Sequence, residues 1–364
     1  MTLLAASVAA FAVAAKKKKE DETQTLQLPR ELPAAVAGET KRLSFVVTPL
    51  SARGLLSQQV RDALKNLERQ ASGSPVVHIR AFVAGTGDLR RVRELISEAF
   101  TEHHQPLPAL SLIQVGALPL TGAQVVLEAA INGKRDLHPG GLAFFPAQPA
   151  YAAQLPDGAL PPVAPLLDRA LAALHIALDA AGVPRADVLR STCYLSSLDG
   201  SDAARARMQT EFPRAALDYV QTERAPLRAV AGCEAAAAIR NQVPARFEVR
   251  AVAVPAAGGE GARFTRIGSE QIILTGTQES FGPEERDGRL AFERLGKILE
   301  PLGASPGDVA FARFYPLSGR IEQQVRSLLP SFFKPPNQPA VGMLEFEGVG
   351  SADAAFAVDA VAAK

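Results

Sequence analysis

The sequence has little of what metal sites, disulfide frameworks and nucleic-acid surfaces require. Its 364 residues include only two cysteines, Cys193 and Cys233, which excludes a disulfide framework and a cysteine-based zinc cage. The five histidines are scattered without the spacing of metal ligands, so we expect no metal site. A net charge of +1 offers no electrostatic footprint for nucleic acid or an anionic membrane, and neither is expected as a partner.

Motifs of cofactor enzymes and triad hydrolases are missing as well. No segment resembles a Ser-His-Asp set, a phosphate-cradling loop or a dinucleotide fingerprint, so we expect no cofactor. The run GGEG at 258–261 lacks the lysine and the helix that follow a phosphate-binding loop, and it is interpreted as a linker. The two cysteines are interpreted as small buried thiols, and the sequence leaves open whether they pair.

The one long apolar run lies at the start of the chain. Residues 1–15, MTLLAASVAAFAVAA, are too few to span a bilayer as a helix and end in small residues that suit a cleavage site. They predict a cleaved signal peptide and hence an exported protein, periplasmic or secreted, without a membrane segment after processing. The basic start of a signal is missing, so a frayed tail on a cytoplasmic protein is the alternative. Residues 16–41, beginning KKKKEDE, predict a disordered, solvated linker.

Beyond residue 42 the chain repeats itself. Three segments carry apolar residues at offsets 0, 4, 7 and 11, which is one face of an α-helix. These residues are Val60, Leu64, Leu67 and Ala71; Leu167, Leu171, Leu174 and Leu178; and Ala291, Leu295, Ile298 and Leu302. A β-like run follows each helix, namely VVHIRAFVA, DVLRSTCYLSS and DVAFARFYPLS, and Gly182 and Gly303 suit the ends of the last two helices.

A second helix follows each of these strands and has a recurrent pair of residues. Each helix places an arginine two turns before a phenylalanine, which favours a shared structural role: Arg93 and Phe100, Arg205 and Phe212, Arg326 and Phe333. With the strands KRLSFVVTPLS, GLAFFPAQ and EQIILTGTQ ahead of the first helices, the order per repeat is β-β-α-β-α-β. The sequence therefore predicts three tandem α+β domains, at 42–135, 136–256 and 257–364.

A proline-led strand, a small-residue turn and a further strand end each repeat. In the sequence alignment of these endings, PLR at 226–228 stands beside PAL at 108–110 and PAV at 339–341. Only the central copy then carries a cation, Arg228, where the others have Leu110 and Val341. The strand FEVRAVA at 247–253 is taken as the last strand of the second repeat, which aligns Glu248 with Val126 and Ala357.

This ordered set of motifs resembles the reactive intermediate deaminase family (Rid, YjgF-like), which has a chorismate-mutase-like fold. The resemblance rests on the helix–Gly–Asp-Val–strand segments, the Tyr194-Leu195 and Tyr315-Pro316 strand positions, PLR and FEVRAVA. Members are commonly homotrimers with ligand clefts between subunits. Three copies in one chain therefore imply a monomeric, intramolecular pseudo-trimer, in which covalent linkage replaces an association equilibrium.

The resemblance also implies a site. Arg228 would grip the carboxylate of an imino or enamino acid, because a guanidinium matches a carboxylate bidentately. Glu248 would help to position the attacking water. Thr275 and Gly276 match the family's Ser/Thr–Gly, and Arg205 replaces an asparagine of its second helix. A cleft between the second and third repeats is expected to hold these residues as binding groups, with Glu248 as the catalytic one.

Simpler structural roles compete with these assignments. Arg228 is also suited to pairing with a carboxylate at a repeat interface, and Thr275 to being a strand-end hydroxyl before a turn glycine. Glu248 and Arg250 lie two residues apart on one strand, so they face the same way and suit an ion pair. Glu128 and Asp359 are interpreted as interface charges.

The leading functional hypothesis is hydrolytic deamination of small enamine or imine intermediates, with water addition and ammonia release. The alternative is a non-catalytic small-carboxylate-binding or scaffold protein of the same fold, which the degenerate first and third repeats favour. Endoribonuclease activity is the weakest hypothesis, because the charge is balanced and a histidine pair is lacking.

Overall fold

The structure is a computed structural model, and it describes residues 28–254, 262–336 and 338–364. The described chain is a mixed α/β fold with three β-sheets and six α-helices. The predicted signal peptide, the lysine run that follows it and the GGEG segment lie outside the described residues.

The elements follow one another in three similar series. The first series is β1 (Ala35–Glu39), β2 (Leu43–Val47), α1 (Leu56–Ala71), β3 (Val76–Ala84), α2 (Leu89–Glu102), β4 (Ala109–Val115) and β5 (Val125–Asn132). The second is β6 (Leu142–Phe145), β7 (Ala150–Ala152), α3 (Ala164–Ala180), β8 (Val188–Leu195), α4 (Ser201–Glu211), β9 (Ala216–Gln221), β10 (Ala229–Ala238) and β11 (Phe247–Val252). The third is β12 (Ala262–Ile267), β13 (Gln271–Thr275), β14 (Gln278–Phe281), α5 (Glu285–Leu299), β15 (Val309–Pro316), α6 (Gly319–Phe332), β16 (Ala340–Met343), β17 (Gly348–Val349) and β18 (Ala354–Ala363).

Four strands of each sheet share one order and one set of directions. The orders are β2-β5-β3-β4, β6-β10-β8-β9 and β13-β18-β15-β16. In each of these orders the first strand is antiparallel to the second and the second to the third, whereas the third and fourth strands are parallel. The second helix of the series connects this parallel pair. We call the sheets, each with its two helices, the first, second and third units.

The helices form where the apolar period predicts them, because each has one face to bury. The predicted residues Val60, Leu64, Leu67 and Ala71 of α1 are buried against the first sheet. Of the recurrent pairs, Phe100, Phe212 and Phe333 are buried, while their arginines are exposed. Gly182 and Gly303 follow the helices with φ values of +66° and +70°, a conformation that glycine adopts without a steric penalty.

Short strands cross from one unit to another. β1 pairs with β13 and so extends the third sheet, although the next strand of the chain, β2, belongs to the first sheet. In the same manner β12 pairs with β6 of the second sheet, and β17 pairs with β4 of the first. The prediction of a linker through residue 41 is therefore wrong for Ala35–Glu39, which form a strand because their small apolar residues fill the open edge of β13.

The strands that end the repeats also pair differently from what the sequence alignment of the repeats predicts. In the second sheet the strand beside β8 and antiparallel to it is β10, not the segment FEVRAVA. That segment forms β11, which pairs only with β12 at the outer edge of the sheet. The alignment is wrong by one strand here, since β9 and β10 stand where β4 and β5 stand in the first sheet.

The sheets turn their inner faces toward one another and the helices cover the outside. One apolar layer between the sheets includes Phe45, Phe144 and Phe311, and another includes Phe82, Tyr194 and Phe346. Within the second unit, Cys193 and Cys233 face each other across β8 and β10 and form a disulfide in the core, a pairing that the sequence left open.

We expect the pairing of β1 with β13 to contribute to the stability of the third sheet. A chain that begins at Thr40 lacks β1 and leaves the edge of β13 without a partner, so its unfolding free energy should fall and amide exchange should accelerate at Ile272 and Leu274, whose amides face β1. Urea denaturation and hydrogen–deuterium exchange measure both effects. A chain that begins at Ala34 keeps β1 and is the control; equal exchange in the two truncations would contradict the proposed role of β1.

Candidate functional site

Arg228, the predicted anchor, lies in the connection that leads into β10. Its guanidinium stacks on the ring of Tyr151, with the Cζ atom 3.8 Å from the ring centroid. Arg228 Nη2 is also 3.5 Å from Glu345 Oε1, which belongs to the third unit. The side chain remains 47% exposed, so its charge is accessible to a ligand.

A cavity of about 670 Å³ opens beside Arg228, between the second and third units. The wall from the second sheet comes from the β6–β7 connection, Arg228 and the start of β12, and the opposite wall comes from α6 and β16. The residues that line it are Ala147, Gln148, Pro149, Tyr151, Arg228, Ala262, Arg263, Glu322, Arg326, Leu329, Pro330, Phe333, Gln338, Pro339, Val341 and Met343. Its volume is in the range of sites that take drug-sized ligands.

The polar groups of this cavity favour an anion. Three arginines line it against a single glutamate, and Glu322 already accepts from Arg326 at 3.0 and 2.7 Å. Burial raises the pKa of Tyr151 to about 12, although Arg228 acts against this shift. The Tyr151 hydroxyl is therefore protonated at neutral pH and can donate a hydrogen bond.

The strand register revises the role assigned to Arg228 by alignment. Ala109, Ala216 and Ala340 each begin the strand that runs parallel to the central strand of their sheet. The next positions, Leu110, Leu217 and Val341, are therefore the matching ones, and none of them is a cation. Arg228 lies instead in residues 222–228, which connect β9 to β10, one strand later in the chain than the sequence alignment placed it. It reaches the cavity from that connection.

Glu248 is not a lining residue of the cavity. It lies on the edge strand β11, where it accepts from Arg250 at 3.0 and 2.8 Å and from Arg266. Hydrogen bonds from Arg266 and Arg250 lower the pKa of Glu248. The ion pair that the sequence offered as the simpler role of Glu248 is therefore present, and a carboxylate held by two guanidinium groups is a weak base.

Thr275, Gly276 and Arg205 lie elsewhere. Thr275 is buried and its hydroxyl accepts from the amide of Ala360 at 2.9 Å. A Cβ at Gly276 would lie 2.5 Å from the carbonyl oxygen of Leu110, so glycine allows the third unit to approach β4 of the first. Arg205 is exposed on α4. The structure thus does not bring the five predicted site residues together.

The second group of functional interest is a buried charge cluster where the three sheets meet. Arg80 on β3 contacts one carboxylate from each sheet: Glu128 Oε2 at 3.2 Å, Glu234 Oε1 at 3.3 Å and Asp359 Oδ2 at 3.5 Å. Arg190 pairs with Glu128 and Arg313 with Glu234. The interpretation of Glu128 and Asp359 as interface charges is confirmed.

Hydroxyl groups complete this cluster. Tyr194 donates to Glu234 at 2.9 Å, Tyr315 to Asp359 at 2.6 Å and Thr192 to Glu128 at 2.5 Å. Burial alone would raise the pKa of Asp359, but Arg80 and the Tyr315 hydroxyl hold it below its usual value. A cavity of only about 30 Å³ adjoins the cluster, so it has room for no more than a water-sized species.

Sequence reasoning missed Glu234 and, among the polar residues of the large cavity, Tyr151, Arg263 and Glu322. A signal for Glu234 exists, since an acid precedes alanine in LEAAI, CEAAA and VDAVA. Its strand contains Glu-Ala-Ala-Ala-Ala, which has no alternation of polar and apolar residues to indicate a strand. Tyr151, Arg263 and Glu322 had no comparable signal, because their relation depends on two units meeting.

The described residues contain no cluster of three or more histidine, cysteine, aspartate or glutamate side chains arranged to hold a metal ion. None of the helices in the described ranges combines the length and the apolar composition needed to cross a bilayer. What the large cavity offers is a cationic, aromatic-backed wall facing a wall that is apolar apart from Glu322 and Arg326.

Comparison with known proteins gives neither a matching family model nor a matching curated protein. Solved structures of the Rid and YjgF families are similar to part of the chain. A YjgF/YER057c/UK114 family member from Mycobacterium tuberculosis is 21% identical over 32% of this chain and 98% of its own, with a TM-score of 0.24. A Rid family protein of unknown function from Yersinia pestis is 15% identical over 26% of this chain and 80% of its own, with a TM-score of 0.24.

A further similar structure is described as a candidate endoribonuclease from Thermotoga maritima. It is 22% identical over 26% of this chain and 79% of its own, with a TM-score of 0.24. Each of these proteins matches about the length of one unit. The likenesses are slight, and the function proposed below rests on the geometry of the cavity.

We expect His78, which lies beside the charge cluster and 3.1 Å from Ser111 Oγ, to make stability depend on pH. Burial lowers the pKa of His78 to about 3, against about 6.5 in an unfolded chain. The unfolded state therefore binds a proton that the folded state does not. The contribution to stability is full above pH 6.5 and is lost as the pH falls toward 3, by up to about 1.4 kcal/mol per pH unit.

Urea denaturation between pH 7 and 4.5 checks this expectation. The replacement His78→Gln should reduce the pH slope of the unfolding free energy, whatever its effect on stability at neutral pH. His103→Gln, at an exposed histidine, serves as the control and should keep the part of the slope that His78→Gln removes. A wild-type slope in His78→Gln would show that His78 does not bind its proton differently in the two states.

Proposed function

We propose that the chain is a Rid-like pseudo-trimer, in which the three units are copies of one module, and that it binds a small carboxylate in the cavity between the second and third units. The common strand order of the three sheets supports the first part of this proposal. The observation that carries the second part is the position of Arg228, stacked on Tyr151 at the wall of a 670 Å³ cavity.

The contacts of Arg228 suit it to hold an incoming carboxylate. Its ion pair with Glu345 is long, at 3.5 Å, and both side chains are partly exposed, so the pair contributes little in water. A ligand carboxylate in the cavity can therefore compete for the guanidinium. Stacking on Tyr151 fixes the plane of the guanidinium, which reduces the entropy lost when two parallel hydrogen bonds form.

Replacing Arg228 with glutamine should weaken binding of a small 2-oxo acid such as 2-oxobutanoate. We expect the dissociation constant to rise about 10-fold or more, since a charge-assisted bidentate contact contributes about 1.5–3 kcal/mol. Isothermal titration calorimetry measures the change. Arg294→Gln is a matched control, because Arg294 stacks on Phe281 at 5.4 Å and does not line the cavity. Equal affinity in wild type and Arg228→Gln would refute the anchoring role.

Hydrolytic deamination is the second candidate function, and the carboxylate of Glu322 in the same cavity favours it. In this reaction water adds to the C=N carbon of an imino acid, the C–N bond breaks, and ammonia leaves to give a 2-oxo acid. Arg228 would hold the substrate carboxylate, and Glu322 would orient the water. Glu248 has no part in this version, because it lies on β11 outside the cavity lining.

Ammonia release from 2-iminobutanoate, generated in place by an amino-acid oxidase, tests the candidate reaction. We expect a rate above spontaneous hydrolysis, and a loss of most of the added rate in Glu322→Gln, because Arg326 bonds to Oε1 of Glu322 and leaves Oε2 to orient the water. The variant should still bind 2-oxobutanoate. A wild-type protein that binds the acid but does not accelerate hydrolysis would be a binding protein rather than a deaminase.

A further inference from the structure

The cavity between the second and third units is lined by residues near both ends of α6, and the position of each end follows from the chain topology. β15 and β16 are parallel, so the connecting helix α6 runs opposite to β16. The start of α6 therefore lies beside the end of β16, and a Cβ at Gly319 would come within 3.0 Å of Glu345 Oε1. The end of α6 lies beside the start of β16. One end of the cavity therefore lies at the start of α6, and the other lies at the end of α6.

One end carries the anchor described above. Arg228 is placed there by its contact with Glu345, which follows β16. Glu322 and Arg326, on the first two turns of α6, line the same end, and they satisfy each other through two hydrogen bonds to Glu322 Oε1. Arg228 is therefore the group at this end with the charge most available to a ligand.

The opposite end has a cation of its own. Arg263 lies at the start of β12, and its Nη1 atom donates to Gln338 Oε1 at 2.8 Å, next to the start of β16. Among the described residues no carboxylate forms a salt bridge with Arg263. Its partner Gln338 is neutral, so within the described ranges the charge of Arg263 is not paired with a carboxylate at this end of the cavity.

An apolar stretch separates the two cations. Val341 and Met343 lie two residues apart on β16 and so face the same way, while Leu329 lies on the last turn of α6 and Phe333 directly follows the helix. From Pro339 to Met343 the strand spans about 13 Å at about 3.3 Å per residue. A ligand that reaches both arginines must cross this apolar surface.

We infer that the cavity binds an elongated dicarboxylate, with one carboxylate on Arg228, an apolar spacer against Val341 and Met343, and the other carboxylate on Arg263. The inference rests on the proposed function of Arg228 and names the ligand class for that site. Two separated cations with an apolar surface between them match an α,ω-dicarboxylate of about eight to ten carbons, given the span of about 13 Å and the reach of the two arginine side chains. A 2-imino acid of four carbons would fill only one end.

Calorimetric titration of the full chain with suberate, octanoate and succinate tests the inference. Octanoate lacks the second carboxylate of suberate, and succinate has both carboxylates but a shorter spacer. Suberate should bind at least 10-fold more tightly than octanoate, and succinate should bind more weakly than suberate because it cannot reach both arginines. In Arg263→Gln the advantage of suberate over octanoate should fall to less than threefold.

Two further variants separate this inference from the function on which it rests. Arg228→Gln should weaken both suberate and octanoate, and Arg294→Gln should change neither. Equal affinities for suberate and octanoate, with no effect of Arg263→Gln, would overturn the dicarboxylate inference while leaving the Arg228 site in place. If none of the three acids bound, the proposed function would fail together with the inference.

Discussion

The contact of a single guanidinium with three carboxylates from three sheets is the interaction on which the arrangement of this chain depends. Arg80 reaches Glu128, Glu234 and Asp359, which occupy the same register position in β5, β10 and β18, each opposite the central strand of its sheet. Among the described residues, Glu234 and Asp359 form salt bridges with arginines of other sheets, so the second and third units depend on a neighbour to bury these acids. Removing one partner from a buried ion pair typically costs about 3–5 kcal/mol, so the cluster penalises any arrangement in which a sheet is displaced.

The cluster specifies position more than it adds stability. Taking three carboxylates and three guanidinium groups out of water has a large desolvation cost, which close pairing and hydroxyl donors offset. Apolar layers above and below the cluster, including Phe144 and Phe311 on one side and Tyr194 and Phe346 on the other, supply the favourable burial. The charges then select the one registration of the sheets in which every carboxylate meets a donor.

The same packing explains why the large cavity lies between the second and third units. Where the third unit meets the first, Gly276 lets the backbone approach Leu110 closely, and Thr277 donates to the Leu110 carbonyl at 3.2 Å. At the corresponding end of β6 the chain continues with Pro146, Ala147 and Pro149, and Ala147 and Pro149 line the cavity instead of pairing with the third unit. Space remains there, and Arg228 and Arg263 border it because they lie on segments of the second sheet that face α6.

The sequence by itself determined the local elements, because helix and strand periods depend on residues close together in the chain. It predicted the helices and the central strands of a mixed α/β fold. Only the tertiary structure decided that β10 rather than β11 completes the second sheet, since strand pairing is set by partners far apart in sequence. For the same reason, only the tertiary structure showed that Arg228 stacks on Tyr151 and lines the same cavity as Arg263. It also showed that Glu248 lies outside that cavity and that the acids surround Arg80.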